Sequence, residues 1–290
     1  MDYGRLIVAI VTPFDKNGEL DLGRTKELAQ RLVKEGVTGF VVNGTTGESP
    51  TTNREEKIAM IRCLKESVNV PVIANTGTYN THDSIKYTED AEAAGADGIL
   101  LVTPYYSKPD QDMLYWHFGD IAQATKLPVM LYNIPGRSVV NINVETVLRL
   151  AHDHKNIRSI KEASGNLDAL TCIIRDCPKD FVCYTGEDAL TLPTIAVGGY
   201  GVVSVAGHVV APQMKTMIDA YVGGDVKKAQ EMHVALQAIF RALFLQPNPV
   251  PVKKALELRG LSVGGLRAPL REASAAVTEE LKKAMADLKL

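Results

Sequence analysis

The sequence has 290 residues, of which 46% are hydrophobic and 23% charged, so the chain is long enough to bury a core without disulfides or structural metals. The formal net charge of -2 gives no reason to expect a nucleic acid or an anionic membrane as partner. No apolar run approaches the length of a membrane span, and no signal-peptide pattern precedes the first apolar segment. With 4 cysteines and no CxxC pair, we expect a cytoplasmic globular protein with reduced thiols.

Short apolar runs recur along the chain and predict eight β-strands. Most of these runs are continuous rather than alternating, which is typical of parallel strands that are buried on both faces. The predicted strands cover residues 6–11, 39–43, 70–75, 98–102, 129–132, 157–161, 181–185 and 201–205.

Amphipathic stretches with helical periodicity separate these runs, for example at residues 25–35, 54–67, 84–94 and 113–124. Eight strands, each followed by a helix at a spacing of roughly 20 to 30 residues, predict an α/β fold that closes into a (β/α)8 TIM barrel. An open doubly wound sheet is the alternative, but such sheets usually have fewer strands and a glycine-rich first crossover. No GxGxxG follows the first predicted strand, which disfavours a dinucleotide-binding fold.

The last part of the chain is predicted to be helical. A helix at residues 213–222 completes the barrel, and the Gly-Gly-Asp sequence at 223–225 ends it. Further helices are predicted at 226–245, 252–259 and 272–288, interrupted by three prolines within 246–251 because proline cannot continue a helix. We therefore predict a catalytic barrel over residues 1–224 and a C-terminal helical appendage over residues 225–290.

Lys161 ends the sixth predicted strand, between Ile160 and the turn residues Ser164 and Gly165. Burial at this position would disfavour the ammonium, lower the pKa of Lys161 and leave a free amine that can attack a ketone to form a Schiff base. The alternative is a lysine whose stem packs in the sheet while its head reaches water or an acid. Other polar residues decide between these two interpretations.

Active sites of such barrels lie at the carboxyl ends of the strands. The sequence places Gly-Thr-Thr-Gly-Glu at 44–48 after the second strand, Thr-Pro-Tyr-Tyr at 103–106 after the fourth and Tyr-Asn-Ile-Pro-Gly-Arg at 132–137 after the fifth. Gly186-Glu187-Asp188 follows the seventh strand. We expect these segments to converge on one end of the barrel.

Each of these side chains has a chemical use and a structural alternative. Thr45 and Thr46 can offer hydroxyls and backbone N–H groups to a carboxylate, or belong to a plain strand-to-helix turn. Tyr132 can relay protons to and from a carbinolamine, or be a core tyrosine. Arg137 can hold a second carboxylate in bidentate fashion, or pair with a nearby acid. The combination of an amine, a proton relay and two carboxylate sites favours Schiff-base chemistry on a keto acid.

A metal site is not favoured. His152 and His154 form an HxH pair near a predicted helix end rather than at a strand end, and the other histidines are scattered. We therefore expect no metal ligand set.

The chain resembles the superfamily of dihydrodipicolinate synthase and N-acetylneuraminate lyase over essentially its whole length. Gly-Thr-Thr-Gly-Glu-Ser at 44–49 and Ile-Lys-Glu-Ala at 160–163 match motifs of the superfamily. Three stretches are similar to the dihydrodipicolinate synthase branch: Tyr-Asn-Ile-Pro-Gly-Arg at 132–137, Gly-Val-Val-Ser-Val at 201–205 and Pro-Asn-Pro-Val-Pro-Val-Lys at 247–253.

The resemblance implies that pyruvate forms a Schiff base with Lys161, with no other cofactor. The enamine would then add to L-aspartate 4-semialdehyde to give 4-hydroxy-tetrahydrodipicolinate, in lysine and diaminopimelate biosynthesis. Tyr132 matches the proton donor and acceptor of the family. Thr45 and Tyr106 match its relay partners, with Tyr106 reaching in from a neighbouring subunit of a homotetramer built from tight dimers.

The resemblance also implies substrate contacts. Thr46 matches the contact to the pyruvate carboxylate, Val203 lies at a backbone position that contacts pyruvate, and Gly186 is expected to contact substrate. Arg137 matches the residue that receives the semialdehyde carboxylate. Ser138 stands where the family often has threonine, and the hydroxyl is retained.

Ser49 and Tyr105 match the family's allosteric pocket for L-lysine. Lysine-sensitive members carry two histidines, an asparagine and a glutamate at four further positions, which are occupied here by Arg54, Lys57, Tyr79 and Asp83. Two added cations would repel a cationic ligand, and one carboxylate is shortened. We therefore expect weak or absent inhibition by L-lysine.

Two other functions stay open. A class I aldolase of the same superfamily, which cleaves a 2-keto-3-deoxy sugar acid or 4-hydroxy-2-oxoglutarate, would share Lys161, Tyr132 and the Thr45–Thr46 loop. Arg137 discriminates, because a sugar-acid site needs hydroxyl partners where the synthase needs a guanidinium. A non-catalytic barrel that binds a keto acid is the third alternative, and the combination of an amine with a proton relay disfavours it.

Overall fold

Eight parallel strands form a closed barrel in a computed structural model, which describes residues 3–290. The strands are Leu6–Ala9 (β1), Gly39–Val42 (β2), Val72–Asn75 (β3), Gly98–Val102 (β4), Val129–Asn133 (β5), Ile157–Glu162 (β6), Val182–Thr185 (β7) and Gly201–Ser204 (β8). Each pairs with the next in sequence, and β8 pairs with β1, where Val203 lies opposite Ile7. The predicted (β/α)8 TIM barrel is confirmed.

Helices connect the strands and surround the barrel. They are Leu22–Lys34 (α1), Arg54–Ser67 (α2), Thr81–Ala93 (α3), Gln111–Gln123 (α4), Pro135–Ser138 (α5), Val144–Asp153 (α6), Leu167–Asp176 (α7), Thr191–Ala196 (α8) and Gly207–Val222 (α9). Side chains cap several of them; at α2 the Asn53 side chain accepts from the Glu56 N–H while the Glu56 carboxylate accepts from the Asn53 N–H. Among residues 3–290, no helix is both long and apolar enough to cross a bilayer.

The C-terminal part contributes three further helices, Val226–Ala242 (α10), Val250–Leu258 (α11) and Ala275–Asp287 (α12). Their buried side chains, such as Leu236, Val252 and Leu281, belong to the same apolar core as the outer face of the barrel. The predicted C-terminal helical appendage is therefore present, and it packs directly on the barrel.

Alternate residues of each strand face the two sides of the barrel wall. Ile7 and Ala9 pack with Val41, Ile73 and others in the lumen, whereas their sequence neighbours pack against the surrounding helices. Because this alternation has a period of two, a slip of one residue in β6 would turn its lumen-facing side chains outward.

The first strand was predicted to extend to residue 11, but it ends two residues earlier, at Ala9. A side chain from α9 explains the difference. The Val11 N–H donates to Nε2 of His208 at 3.1 Å instead of to a neighbouring strand, so β1 ends at Ala9. The third strand begins at Val72, two residues later than predicted, because Pro71 has no N–H to donate to the sheet.

Helix α9 begins earlier than predicted, at Gly207 rather than residue 213. Pro212 lies inside it, and the backbone at Val210 leaves helical geometry, with φ -129°. A proline ring clashes with the carbonyl four residues earlier, so a kink here lets the helix continue past Pro212. The kinked first turn starts directly at the carboxyl end of β8.

Candidate active site

Lys161 projects into the lumen near the carboxyl end of β6. It lies opposite Tyr132 of β5 and Tyr184 of β7, both of which belong to the lumen cluster. Its side chain is 7% exposed, and burial lowers the pKa of Lys161 from 10.5 to about 8. Glu187 and Asp188 favour the ammonium, and Arg137 disfavours it further. Burial is the dominant cause of the lowered pKa. Because this pKa is about 8, part of the Lys161 population carries a free amine near neutral pH.

Tyr132 lies beside this amine. The Lys161 Nζ is 4.1 Å from the centre of the Tyr132 ring. Burial raises the pKa of the Tyr132 phenol, so the group keeps its proton at neutral pH and can donate it to a developing alkoxide.

A cavity of about 430 Å³ opens above these two residues. Its lining brings together most of the side chains that were singled out from the sequence: Thr45, Thr46, Tyr132, Arg137, Lys161 and Gly186. The loops that follow β2, β5, β6 and β7 therefore converge on the same end of the barrel, as predicted for this fold. Arg137 and Thr45 are exposed at its mouth, whereas Thr46 is buried.

Gly186 has a steric role in this cavity. A Cβ at this position would lie 2.7 Å from Cε of Lys161 and 2.7 Å from Cβ of Ala163. Both distances are closer than carbon atoms can approach without displacement. The absence of a side chain at Gly186 therefore leaves room for the lysine stem.

Two acids after β7 were not assigned roles from the sequence. Glu187 lines the cavity, half-buried, and burial raises the pKa of its carboxyl. Asp188 is fully buried and accepts from the Ser204 hydroxyl and from the N–H groups of Val205 and Ala206. The only sequence signal was their place directly after a strand end, because neither acid belongs to a spaced motif.

The loop after β2 is tightly folded. The N–H groups of Gly47 and Ser49 both donate to the carbonyl of Gly44, and the Thr12 hydroxyl donates to the carbonyl of Gly47 at 2.7 Å. Glu48 has a left-handed backbone, with φ 55°. Asn248, from the C-terminal part, also lines the cavity and was not singled out from the sequence.

Two predicted site residues do not line the cavity. Val203 is fully buried in β8, within the lumen cluster. The Tyr106 side chain is 93% exposed and has a backbone φ of 73°, so it does not approach Lys161 of its own chain. That orientation leaves the phenol available to a neighbouring molecule.

A second cavity, of about 590 Å³, adjoins the first and shares Thr45, Tyr132 and Arg137 with it. Both candidate allosteric residues, Ser49 and Tyr105, line it. So do the residues Lys57, Tyr79 and Asp83, which depart from the lysine-sensitive pattern.

The expectation that Arg54 adds a second free cation to this cavity is wrong. Arg54 does not line it, and its guanidinium forms two hydrogen bonds of 2.6 Å with the Asp90 carboxylate. The Lys57 ammonium does line it and donates to the Ser49 carbonyl and to the carbonyl and hydroxyl oxygens of Thr52. Burial lowers the pKa of Lys57 to about 8. Of Arg54 and Lys57, it is Lys57 that faces this cavity, which Arg137 also lines.

The histidines, within the described residues 3–290, do not assemble into a metal site. Nε2 of His152 lies 3.3 Å from the Asp176 carbonyl, and the His154 ring packs beside Tyr115. Within residues 3–290, no group of three or more histidine, cysteine or acidic side chains is arranged to hold a metal ion.

A closed (β/α)8 barrel with a buried amine on β6, a tyrosine beside it and a cavity at the carboxyl ends of the strands is typical of (β/α)8 barrel enzymes, whose active sites lie at that end of the barrel. Comparison with known proteins narrows this class. Residues 2–288 match the model of the dihydrodipicolinate synthetase family, and the chain belongs to this family.

Relatives extend over nearly the whole chain. The 4-hydroxy-tetrahydrodipicolinate synthase of Bacillus subtilis is 52% identical over 272 residues, which are 93% of this chain and 94% of the relative. The enzyme of the same name from Moorella thermoacetica is 50% identical over 291 residues, covering 100% of this chain and 98% of that one.

Solved structures agree with this assignment. Dihydrodipicolinate synthase DapA-2 from Bacillus anthracis superposes with a TM-score of 0.97 at 48% identity, covering 99% of this chain and 98% of that chain. The enzyme from Cyanidioschyzon merolae, solved with lysine bound, has a TM-score of 0.97 at 42% identity, with 99% of each chain covered.

Proposed function

We propose that this chain condenses pyruvate with L-aspartate 4-semialdehyde to form 4-hydroxy-tetrahydrodipicolinate, a step of lysine and diaminopimelate biosynthesis. The observation that carries the proposal is the buried Lys161 amine, with its pKa lowered to about 8, beside the Tyr132 ring in a cavity of about 430 Å³. Relatives about 50% identical over the chain bear the name of this synthase.

The first half of the reaction uses the amine and the phenol. The free amine of Lys161 attacks the keto carbon of pyruvate, and the resulting oxygen leaves as water after it takes one proton from the attacking nitrogen and one from Tyr132. Loss of a proton from the pyruvate methyl group then converts the iminium into an enamine. The lowered pKa matters because only the unprotonated amine can make the first bond.

The second half joins two substrates and frees the lysine. The enamine carbon attacks the aldehyde carbon, and a proton from the relay neutralises the new alkoxide. The substrate's α-ammonium group loses a proton, and the resulting amine attacks the iminium carbon, closes the six-membered ring and displaces Lys161 as the free amine. The enzyme therefore needs to hold two carboxylates and one amine in a fixed relation.

The polar and charged groups that line the cavity fit this requirement. Thr46 and the loop around it supply donors for the pyruvate carboxylate, and Arg137 supplies a guanidinium for the semialdehyde carboxylate. Glu187 is the one acid that lines this cavity among residues 3–290. It supplies an acceptor for the α-ammonium group.

Thr45 and Tyr106 are proposed to pass protons between Tyr132 and solvent. Thr45 lies at the cavity mouth, and Tyr106 would come from a second subunit, which its 93% exposure in one chain permits. We accordingly propose that the working form is a homotetramer built from tight dimers, acting in the cytoplasm with no cofactor apart from the covalent adduct on Lys161.

A coupled assay tests the proposal. Wild-type protein should consume pyruvate and L-aspartate 4-semialdehyde together, and Lys161→Ala should abolish turnover. Arg137→Met should impair use of the semialdehyde while the pyruvate adduct still forms. Turnover of a 2-keto-3-deoxy sugar acid or 4-hydroxy-2-oxoglutarate, without condensation of the semialdehyde, would instead support the aldolase alternative.

A further inference from the structure

The C-terminal segment between α10 and α11 reaches into the cavity at the end of the barrel. Phe244, Pro247 and Asn248 contribute to its lining, next to Thr46 and Lys161. A helical appendage that served only to cover the barrel would have no need to place a polar side chain there.

Asn248 makes a specific contact with the carboxylate loop. Its Nδ2 donates to Oγ1 of Thr46 at 2.8 Å, and the two residues are 7% and 3% exposed. A hydroxyl has one proton to donate and two lone pairs to accept. Because the amide occupies one lone pair, the hydroxyl proton stays available for another acceptor, such as a carboxylate in the cavity.

The same amide is not explained by stability. Its Oδ1 is buried and has no hydrogen-bond partner among residues 3–290. A buried acceptor without a partner destabilises the folded state, and such groups in native structures call for another explanation. An amide that serves to orient a neighbouring hydroxyl provides one.

A second contact holds the other end of this loop. The Lys253 ammonium, on α11, lies 2.6 Å from the Glu48 carboxylate, and both side chains are almost completely buried. The ammonium also donates to the Gly265 carbonyl, while Glu48 accepts from the Arg267 N–H. A buried ion pair is weak evidence for stability, but it fixes the position of the groups it joins.

We propose that Asn248 and Lys253 are positioning residues for the carboxylate-binding loop. Asn248 directs the Thr46 hydroxyl proton toward the substrate carboxylate, and the Lys253–Glu48 pair fixes the left-handed turn that ends the loop. The inference rests on the proposed function in one respect, since it takes the carboxylate held by Thr46 to be that of pyruvate.

The test measures adduct formation directly, without the aldehyde. Borohydride traps the pyruvate adduct on Lys161, and its yield is followed against pyruvate concentration for Asn248→Ala, Thr46→Val and the double variant. We expect each single variant to raise the half-saturating pyruvate concentration about tenfold, a typical effect for one hydrogen bond. The double variant should have the same half-saturating pyruvate concentration as Thr46→Val alone, because Asn248 acts through Thr46.

Further variants separate orientation from folding. Asn248→Asp is nearly isosteric but cannot donate, so it should also weaken pyruvate saturation. Glu48→Gln combined with Lys253→Met removes the ion pair without leaving a buried charge and should do the same. Arg259→Met is the matched control: Arg259 ties the end of α11 to the Val209 carbonyl, away from the loop, so its loss should lower thermal stability and leave pyruvate saturation unchanged.

The outcomes are distinguishable. The orienting role would be overturned if the effects of Asn248→Ala and Thr46→Val multiplied in the double variant. It would also be overturned if Asn248→Ala left the half-saturating pyruvate concentration unchanged. If Arg259→Met weakened pyruvate saturation as much as Asn248→Ala does, the effect of Asn248 would reflect general stability, and the orienting role would be overturned. Wild-type protein that forms an adduct but rejects the semialdehyde would overturn the proposed reaction and leave this inference standing, whereas no adduct at all would overturn both.

Discussion

Replacing the buried lysine should stabilise the protein while it abolishes activity. Lys161 is 7% exposed, and burial lowers its pKa from 10.5 to about 8. As pH falls below 10.5 the unfolded chain binds a proton at this residue, but the folded chain does not bind it until about pH 8. The folded state therefore loses stability through this window and stays at the lower level below it.

The magnitude follows from the two pKa values. Relative to a side chain that does not titrate, Lys161 costs about 3 kcal/mol at pH 7, about 2 kcal/mol at pH 9 and less than about 1 kcal/mol at pH 10.5. The Tyr132 ring, 4.1 Å from the ammonium, favours the charged form and reduces the effect. We expect Lys161→Met, which keeps the length of the side chain, to gain about 2–3 kcal/mol at pH 7.

Urea unfolding at pH 7, 9 and 10.5, at one fixed protein concentration, measures the gain. The difference between Lys161→Met and wild type should shrink steadily as pH rises. Lys126→Met, at an exposed lysine, serves as the matched control and should change stability little at any of the three pH values. A gain that is absent at pH 7, or that does not depend on pH, would refute the reasoning that burial lowers the pKa of this amine.

Three further predictions concern specificity, acid stability and regulation. Glu187→Gln should lower kcat/KM for L-aspartate 4-semialdehyde at least tenfold but hardly change the inhibition constant of succinic semialdehyde, which has no amino group to bind or to close the ring; an equal loss for both aldehydes would contradict a role in binding the ammonium. Burial lowers the pKa of His208 from 6.5 to about 4, and its neutral ring accepts from Val11 and lies 2.8 Å from the Val205 carbonyl. The contribution of His208 to stability should therefore be complete above pH 6.5 and should decline by up to about 1.4 kcal/mol per pH unit between pH 6.5 and 4. Denaturation of His208→Gln should lack this part of the dependence of unfolding free energy on pH. Equal slopes in the variant and the wild type would contradict the prediction. L-lysine should inhibit weakly or not at all, because the Lys57 ammonium faces the second cavity; strong inhibition of the purified enzyme by low lysine would refute this, and Lys57→His is the variant expected to increase sensitivity.

The barrel was predictable because its signals are local. Eight apolar runs, most of them continuous and separated by helical periodicity, are enough to predict parallel strands, and the lumen orientation of Lys161 follows once β5 and β6 pair in register. The later start of β3 has a local cause in Pro71, whereas the early end of β1 has a nonlocal one. The Val11 N–H is taken by His208, 197 residues away, which no local pattern reveals.

The convergence of the site was also predictable, since the carboxyl ends of parallel strands meet at one end of a barrel. What the sequence could not show is which side chains pair across the fold. Arg54 was expected to act as a free cation, but Asp90 on another helix neutralises it. Asn248 contacts Thr46 across 202 residues, and nothing near either residue indicates this.

The roles assigned to individual side chains, and the division of the chain at residue 224, stay predictions. Tyr106 illustrates why. A local pattern places it after β4, but its proposed role requires the surface of another subunit, which neither the sequence pattern nor a single chain contains.

The most direct test of the central claim is to trap the adduct. The protein is incubated with pyruvate, reduced with borohydride, digested and mapped by mass spectrometry, with and without L-aspartate 4-semialdehyde. We expect a reduced pyruvate adduct on the peptide that contains Lys161, at a yield that falls when the semialdehyde consumes the enamine. An adduct on another lysine, or no adduct in a protein that still condenses the two substrates, would contradict it.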